Sequence, residues 1–192
     1  CRGDRLHFDY SGSSDQVDAA VNSTLPATVA GSAVPLYSFL CQGDIDWNDG
    51  LKRCIEIAAP EGSVVNATYP APVSISTVGF RWLVTVAATQ AVANMFNASD
   101  RYRDRTCPSW NSSSNCNNIF AELPDGQRTG GLLSDHRGSG AAGRSFADGF
   151  HHAGTVTSYA GSLGNIEGAE WKFPIRYLYR RRMTDSAGAG RY

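Results

Sequence analysis

Residues 76–97 read STVGFRWLVTVAATQAVANMFN, and this stretch sets the helical half of the fold. Phe80, Val84, Ala87, Ala88, Ala91 and Met95 recur at three- and four-residue steps. That spacing gathers side chains on one face of an α-helix. Ser76 or Thr77 supplies a hydroxyl that can cap the first turn by accepting an otherwise unpaired backbone N–H. The apolar pattern runs out at Phe96-Asn97, where the helix is expected to end.

Upstream, Ala30, Ala33, Val34, Tyr37, Leu40 and Cys41 form a second helical stripe. Pro35 interrupts it and predicts a start or a kink there, because the ring removes a donor and crowds the preceding turn. Leu6, Phe8 and Tyr10 alternate with His7 and Asp9, as in a half-buried strand that ends in the turn Ser11-Gly12-Ser13-Ser14. Cys54 to Ala58 reads as another strand, with Ile55 and Ile57 on one face, preceded by the turn Trp47-Asn48-Asp49-Gly50. Pro60-Glu61-Gly62 then turns the chain into the short run Val64-Val65.

Downstream, a polar loop at Asn111 to Asn118 leads to Ile119–Leu123, which is expected to pair with Leu132-Leu133 across Pro124-Asp125-Gly126. Gly138 to Gly168 is rich in small residues and has little periodicity, the mark of a functional or externally supported stretch. Phe173 to Arg180 alternates and predicts a last strand. The expected class is α+β, with mixed strands and about two main helices, and no internal boundary in residues 1–192.

The 192 residues carry a net charge of −1, which argues against nucleic acid as a main partner. The one basic run, Arg180-Arg181-Arg182, reads as a solvated face or a subunit contact. No apolar stretch approaches the ~20 residues that span a bilayer, and no signal peptide is expected. Cys1, Cys41, Cys54, Cys107 and Cys116 are odd in number and form no Cys-x-x-Cys pair. Reduced thiols and a cytoplasmic location are therefore expected. Four glycosylation patterns, beginning at Asn22, Asn66, Asn97 and Asn111, and the tripeptide Arg2-Gly3-Asp4 point the other way, to a secreted binding module. The chain opens at Cys1 without an initiator Met and stops at Tyr192 just after a Gly-rich turn. The expectation is a piece of a larger polypeptide, whose remainder covers apolar area on this one.

Gly138-Ser139-Gly140-Ala141-Ala142-Gly143 fits G-x-G-x-x-G. The residues after it carry no apolar helical stripe, so no helix N-terminus is expected to meet a phosphate there. Asp148-Gly149-Phe150-His151-His152 is the densest group of possible ligands or proton carriers, with Asp135-His136 nearby. Adjacent histidines on extended chain point in opposite directions, so both cannot readily hold one metal. His7 reads as structural. No nucleophile-elbow pattern is present, and nothing marks Cys107 or Cys116 as a reactive thiol.

These segments resemble the B-type large subunit of the hydantoinase/5-oxoprolinase family, which includes acetone and acetophenone carboxylases. The matching pieces are Phe8-Asp9-Tyr10-Ser11-Gly12-Ser13-Ser14, Asn48-Asp49-Gly50, Ala59-Pro60-Glu61-Gly62-Ser63-Val64-Val65-Asn66 and Pro70-Ala71-Pro72-Val73. After these come Gly138 to Gly143 with Asp148-Gly149, then Asn165, Glu167 and Glu170 before Phe173-Pro174, and lastly Asp185 to Gly190. The resemblance implies the later part of a larger multi-domain subunit in a hetero-oligomeric, ATP-dependent complex. It implies ATP, with Mg or Mn, on a separate A-type subunit, and a divalent metal held outside these residues. It implies a small-molecule substrate and either ketone carboxylation to a β-keto acid or opening of a cyclic amide. Asp148 to His152 and the Ala at 187 tilt the expectation toward the carboxylase. Arg144, His151 and His152 are the expected partners for developing negative charge, with Asp148 fixing the turn or orienting a histidine.

Overall fold

The computed structural model describes residues 3–41, 45–46, 48–105, 118–133, 143–145, 147–149, 164–181 and 184–185. The chain divides into two compact units, Cys1–Trp110 and Asn111–Tyr192.

In the first unit, strand β1 (Leu6–Asp9) pairs in parallel with β2 (Ile55–Ala58), Leu6 opposite Ile55 and Asp9 opposite Ala58. The alternation read from the sequence thus forms a strand at both places. Helices α1 (Leu25–Leu40) and α2 (Phe80–Asn97) pack on each other, and a 3-10 helix (Asp49–Cys54) leads into β2. A second 3-10 helix covers Arg103–Arg105. Ala33, Leu36, Phe39, Ile55, Val92 and Phe96 form the main core, flanked by Leu6, Phe8 and Tyr37. Phe39 meets Phe96 edge-on at 5.6 Å between centroids, and Tyr102 stacks on Phe96 at 5.3 Å.

Both helices bury a face rotated from the expected one. On α2 the buried residues are Val84, Thr85, Ala88, Thr89, Val92, Ala93 and Phe96, whereas Ala87, Ala91 and Met95 are exposed. On α1 they are Thr28, Gly31, Ser32, Ala33, Pro35, Leu36 and Phe39, with Ala30 and Leu40 exposed. The reason is that the hydroxyls are satisfied within their own helices. Thr85 Oγ1 donates to the Arg81 carbonyl at 3.2 Å, Thr89 Oγ1 to Thr85 at 2.7 Å and Ser32 Oγ to Thr28 at 2.9 Å. With their protons used this way, these small residues pack as apolar groups and let the helices approach closely. At Gly31 an added Cβ would lie 3.1 Å from the Arg81 carbonyl oxygen, Thr85 Oγ1 and Val84 Cγ1.

The helix starts also differ from expectation. Helix α1 begins at Leu25 with Pro26 in its first turn, so Pro35 falls inside it, fully buried. Helix α2 begins at Phe80 with Gly79 as its N-cap, and neither Ser76 nor Thr77 caps it. Its first donors are met by backbone instead, Phe80 N–H by the Val21 carbonyl at 3.0 Å and Arg81 N–H by Ser76 at 3.2 Å.

The second unit contains the antiparallel hairpin β3 (Asn118–Glu122) and β4 (Arg128–Leu132), joined through Asp125-Gly126 as the turn residues predict. Helix α3 (Ile166–Lys172) is an addition to the expected elements; the Asn165 side chain caps it, accepting from Gly168 N–H at 2.8 Å. No strand forms over 173–180. Pro174 offers no donor, and the segment folds back on α3, Tyr177 N–H to Glu170 Oε1 at 2.6 Å and Arg180 Nη1 to the Gly164 carbonyl at 2.8 Å. The expectation of an α+β chain with about two main helices is thereby corrected. The described residues form a mixed α/β fold with one parallel pair, one antiparallel pair, three α-helices and two 3-10 helices.

Two irregular segments, 10–24 and 59–79, are laced together in the first unit. Gln16 N–H bonds the Gly62 carbonyl at 2.8 Å, Val64 N–H that of Ser14 at 2.9 Å, Ser23 N–H that of Val64 at 2.8 Å and Ile75 N–H that of Ala20 at 2.9 Å. Val64 and Val65 are buried by this lacing rather than by strand pairing. Asn22 sits at its centre with no exposed surface. Its amide oxygen accepts from Val17 N–H at 2.9 Å, and Nδ2 lies 2.8 Å from the Val17 and Ala19 carbonyls and 2.9 Å from that of Pro72. Replacing Asn22 by Ala strands these groups and is expected to lower stability by on the order of 3 kcal/mol, read as a shifted denaturation midpoint of the full-length protein. A midpoint unchanged from wild type would refute the clamp. At Gly79 an added Cβ would stand 2.4 Å from the Val21 carbonyl oxygen. Gly79→Ala is expected to cost roughly 1–3 kcal/mol in the same measurement, because the new Cβ meets Val21 backbone that cannot rotate aside.

Candidate functional site

The turns that leave β1 and β2 meet beyond the carboxyl ends of the two parallel strands, the end at which α/β sheets commonly place ligands. Tyr10 N–H extends the pairing by one bond to the Ala58 carbonyl at 2.7 Å. Ser13 N–H then closes the first turn on Tyr10 at 2.9 Å, and Ser63 Oγ closes the second on Pro60 at 2.7 Å. Gly62 adopts φ +80°, which glycine enters without strain. Between these turns and the first turns of α2 lies an open cleft of about 290 Å³. Tyr10, Gly12, Ser13 and Ser14 line it from the β1 side, Val64 and Val65 from the β2 side, and Phe80, Leu83, Val84 and Ala87 from α2.

Tyr10 supplies the phenol of the cleft. Its Oη lies 2.8 Å from Ser32 Oγ. Ser32 Oγ also lies 2.9 Å from the Thr28 carbonyl. Either hydroxyl of the Tyr10–Ser32 pair can donate. Burial pushes the Tyr10 phenol above its ordinary pKa, partly offset by the Ser32 hydroxyl, so the neutral phenol persists at neutral pH.

Of the residues expected from the sequence to form the site, Arg144 and Asp148 are described. They share a tight loop in the second unit, where Arg144 Nη2 donates to the Asp148 backbone carbonyl at 3.2 Å and Arg144 N–H to the Ala147 carbonyl at 2.8 Å. Arg144 is half-buried and Asp148 exposed. The guanidinium thus contacts the loop's own backbone. His151 and His152 lie outside the described residues, as do Asp135, His136, Cys107, Cys116 and all of the G-x-G-x-x-G stretch except Gly143. His7 is half-buried, and its Nδ1 is shielded from solvent with no hydrogen-bond partner among the described residues. The cleft itself was not singled out from the sequence. The available signal was that two turn-forming segments rich in Gly and Ser, 11–14 and 60–63, each follow a strand.

Among the described residues no group of three or more His, Cys, Asp or Glu side chains could hold a metal ion. The divalent metal implied by the family resemblance therefore finds no fitting donor set among them. Asn22 and Asn66, which begin two glycosylation patterns, both use their amides inside the fold. Asn66 Nδ2 donates to the Ala59 carbonyl at 3.0 Å, and Asn22 is fully buried. The folded chain therefore offers no free glycan acceptor at Asn22. No helix among the described residues is long and apolar enough to cross a membrane.

Comparison with known proteins agrees on one family. Residues 1–192 match the Hydantoinase B/oxoprolinase family, and the chain belongs to it. It is 30% identical over 201 residues to the caprolactamase subunit beta of Pseudomonas jessenii, covering 100% of this chain and 32% of that one. It is 35% identical over 74 residues, 38% of this chain, to an uncharacterised protein of Methanocaldococcus jannaschii. The crystal structure of the ATP-dependent caprolactamase from Pseudomonas jessenii superposes with a TM-score of 0.77 at 26% identity, over 98% of this chain and 32% of the other. A nucleotide-free acetone carboxylase shares the fold with a TM-score of 0.79 at 17% identity, over 93% and 23%. The chain thus spans about a third or less of the length of these relatives.

The Tyr10 phenol yields a pH prediction. Its folded pKa is raised above the ordinary value of 10.0, so its stabilising effect is complete below about pH 10 and is lost as pH rises toward the folded pKa. Alkaline denaturation of the wild type should therefore steepen above pH 10, and Tyr10→Phe should flatten that limb. Parallel wild-type and mutant alkaline limbs would contradict the burial argument.

Proposed function

We propose that this chain is part of the B-type subunit of an ATP-dependent complex that opens cyclic amides. The observation that carries the reading is the match along the whole chain, at 30% identity, to the beta subunit of a caprolactamase. This departs from the sequence-based expectation of a ketone carboxylase. The likeness to acetone carboxylase is close in shape, but at 17% identity it speaks for the fold alone. The segment that tilted the sequence reading, Asp148 to His152 with Ala187, lies largely outside the described residues.

In this reading an A-type subunit carries ATP with Mg or Mn, and the remainder of the B-type subunit holds any divalent metal. The complex works in the cytoplasm. Arg144 and Asp148 hold the loop that leads into His151-His152, and the two histidines orient the substrate or its activated form. The support is the Arg144 contact with the Asp148 carbonyl, which fixes the loop immediately before them. Ketone carboxylation is the second reading, kept on the shared fold.

The test is reconstitution of the full-length subunit with its ATP-binding partner. ADP release should rise on adding a lactam, hydantoin or 5-oxoproline, and ring-opened amino acid should accumulate in step. His151→Ala or His152→Ala should slow turnover per assembled complex by about 100-fold or more, the effect of removing one preorganised electrostatic partner. Incorporation of labelled bicarbonate into a ketone, with no lactam-dependent ADP release, would replace this reading with the carboxylase one.

A further inference from the structure

We propose that the outward face of α2 is an interior surface of the whole subunit, covered by a close-packed apolar layer from the part of the same polypeptide that lies beyond these residues. The inference rests on the reading of the chain as part of a larger B-type subunit, and not on which reaction that subunit runs.

The first observation is composition. Arg81 is the only charged residue in the two long helices, although charged residues make up 18% of the chain. A helix on the outside of a globular protein carries charges on its solvent side, and one without them belongs in the core of a large protein or in a bilayer. The polar residues that α2 exposes are neutral amides, Gln90, Asn94 and Asn97. No helix among the described residues is long and apolar enough to cross a membrane. The helix pair thus has the composition of a protein core.

The second observation is arrangement. Leu83, Ala87, Ala91 and Met95 are exposed at successive four-residue steps and form one row along the helix. Leu83 is 47% exposed and Met95 43%. The alanines between them let a covering element come close to the α2 backbone, and the two longer side chains flank it. The same row borders the cleft, whose α2 wall includes Leu83 and Ala87. No residue lining the cleft is ionised at neutral pH. A layer laid on the row also closes the open side of the cleft, and it desolvates no charge of this chain there.

The third observation is length, and it selects the occupant. The caprolactamase subunit beta matches this chain from end to end, yet the match takes up 32% of that relative. Most of such a subunit lies outside the match, enough to supply the layer within one molecule. Permanently covered faces are apolar in the way a domain core is, whereas surfaces that meet a partner and part again keep a polar rim. The α2 row is of the first kind.

The test is site-specific photo-crosslinking in the full-length protein. A diazirine amino acid shaped like the residue it replaces is placed at Met95, and in a second preparation at Leu83, and crosslinked peptides are read by mass spectrometry. Both positions should crosslink to peptides of the same polypeptide from outside residues 1–192. Crosslinks confined to a second copy, to another subunit or to peptides within 1–192 would overturn the proposal, as would quenching by water alone. Ala91→Arg gives an independent readout. On a solvent-facing helix surface the change is nearly neutral, whereas under a covering layer it buries an unpaired charge. The thermal midpoint of the full-length protein should fall by roughly 5 °C or more. An unchanged midpoint would overturn the proposal, and loss of folded protein would agree with it. A parent polypeptide no longer than these residues would remove the larger-subunit reading and this inference together. Crosslinks to another subunit, in a complex that still couples ADP release to lactam opening, would leave that reading and remove this inference alone.

Discussion

Long irregular backbone is costly to bury, because each N–H and C=O removed from water needs a partner. In the first unit, segments 10–24 and 59–79 meet that requirement through each other. Their crossing bonds run from Gln16–Gly62 and Ser14–Val64 through Ser23–Val64 to Ala20–Ile75 and Val21–Phe80. Asn22 closes the set by accepting one backbone proton and offering its amide to three carbonyls. Both helices start from this lattice. Helix α1 leaves it two residues after Ser23, and α2 takes its first backbone partner from Val21. The close approach of Gly79 to Val21 follows, since a side chain at 79 would push the start of α2 away from the lattice.

The helix pair then determines which surfaces are left for other uses. Alcohol side chains at 28, 32, 85 and 89 turn their protons back along the helix or onto a neighbouring carbonyl, Thr28 Oγ1 reaching the Val65 carbonyl at 2.5 Å. Thr and Ser thus occupy positions that a hydrophobicity pattern reserves for larger residues. The displaced apolar residues of α2, Leu83, Ala87, Ala91 and Met95, face outward. In an isolated chain this looks like a flaw. In a chain that spans a third or less of its relatives, an apolar outer line on its longest helix is surface available for contact.

This explains what could be read in the sequence and what could not. Period-two alternation at 6–10 and 54–58, and the Asp125-Gly126 turn, report local backbone preference and were legible. The existence of both long helices was legible for the same reason. Their orientation was not, because Thr85 and Thr89 count as polar until the back-bonds that hide them are known. The caps were not legible either. Ser76 and Thr77 have the right chemistry, but backbone from residue 21, distant in sequence, reaches the helix start first. Alternation at 173–180 failed because alternation needs a partner strand, and here side-chain bonds from Glu170 and Arg180 hold the segment instead. Tyr10 was legible as a strand residue and illegible as a site residue, since its role depends on a serine 22 positions away.

A line of hydroxyls also ties the cleft to that lattice. Tyr10 Oη lies 2.8 Å from Ser32 Oγ, and Ser32 Oγ lies 2.9 Å from the Thr28 carbonyl. Thr28 Oγ1 reaches the Val65 carbonyl at 2.5 Å. Tyr10 and Val65, which line the cleft from its two turns, are thus both held by side chains of α1. The walls of the cleft are therefore set by the same buried hydroxyls that let α1 pack, and a change that removes them moves the cleft as well as the core.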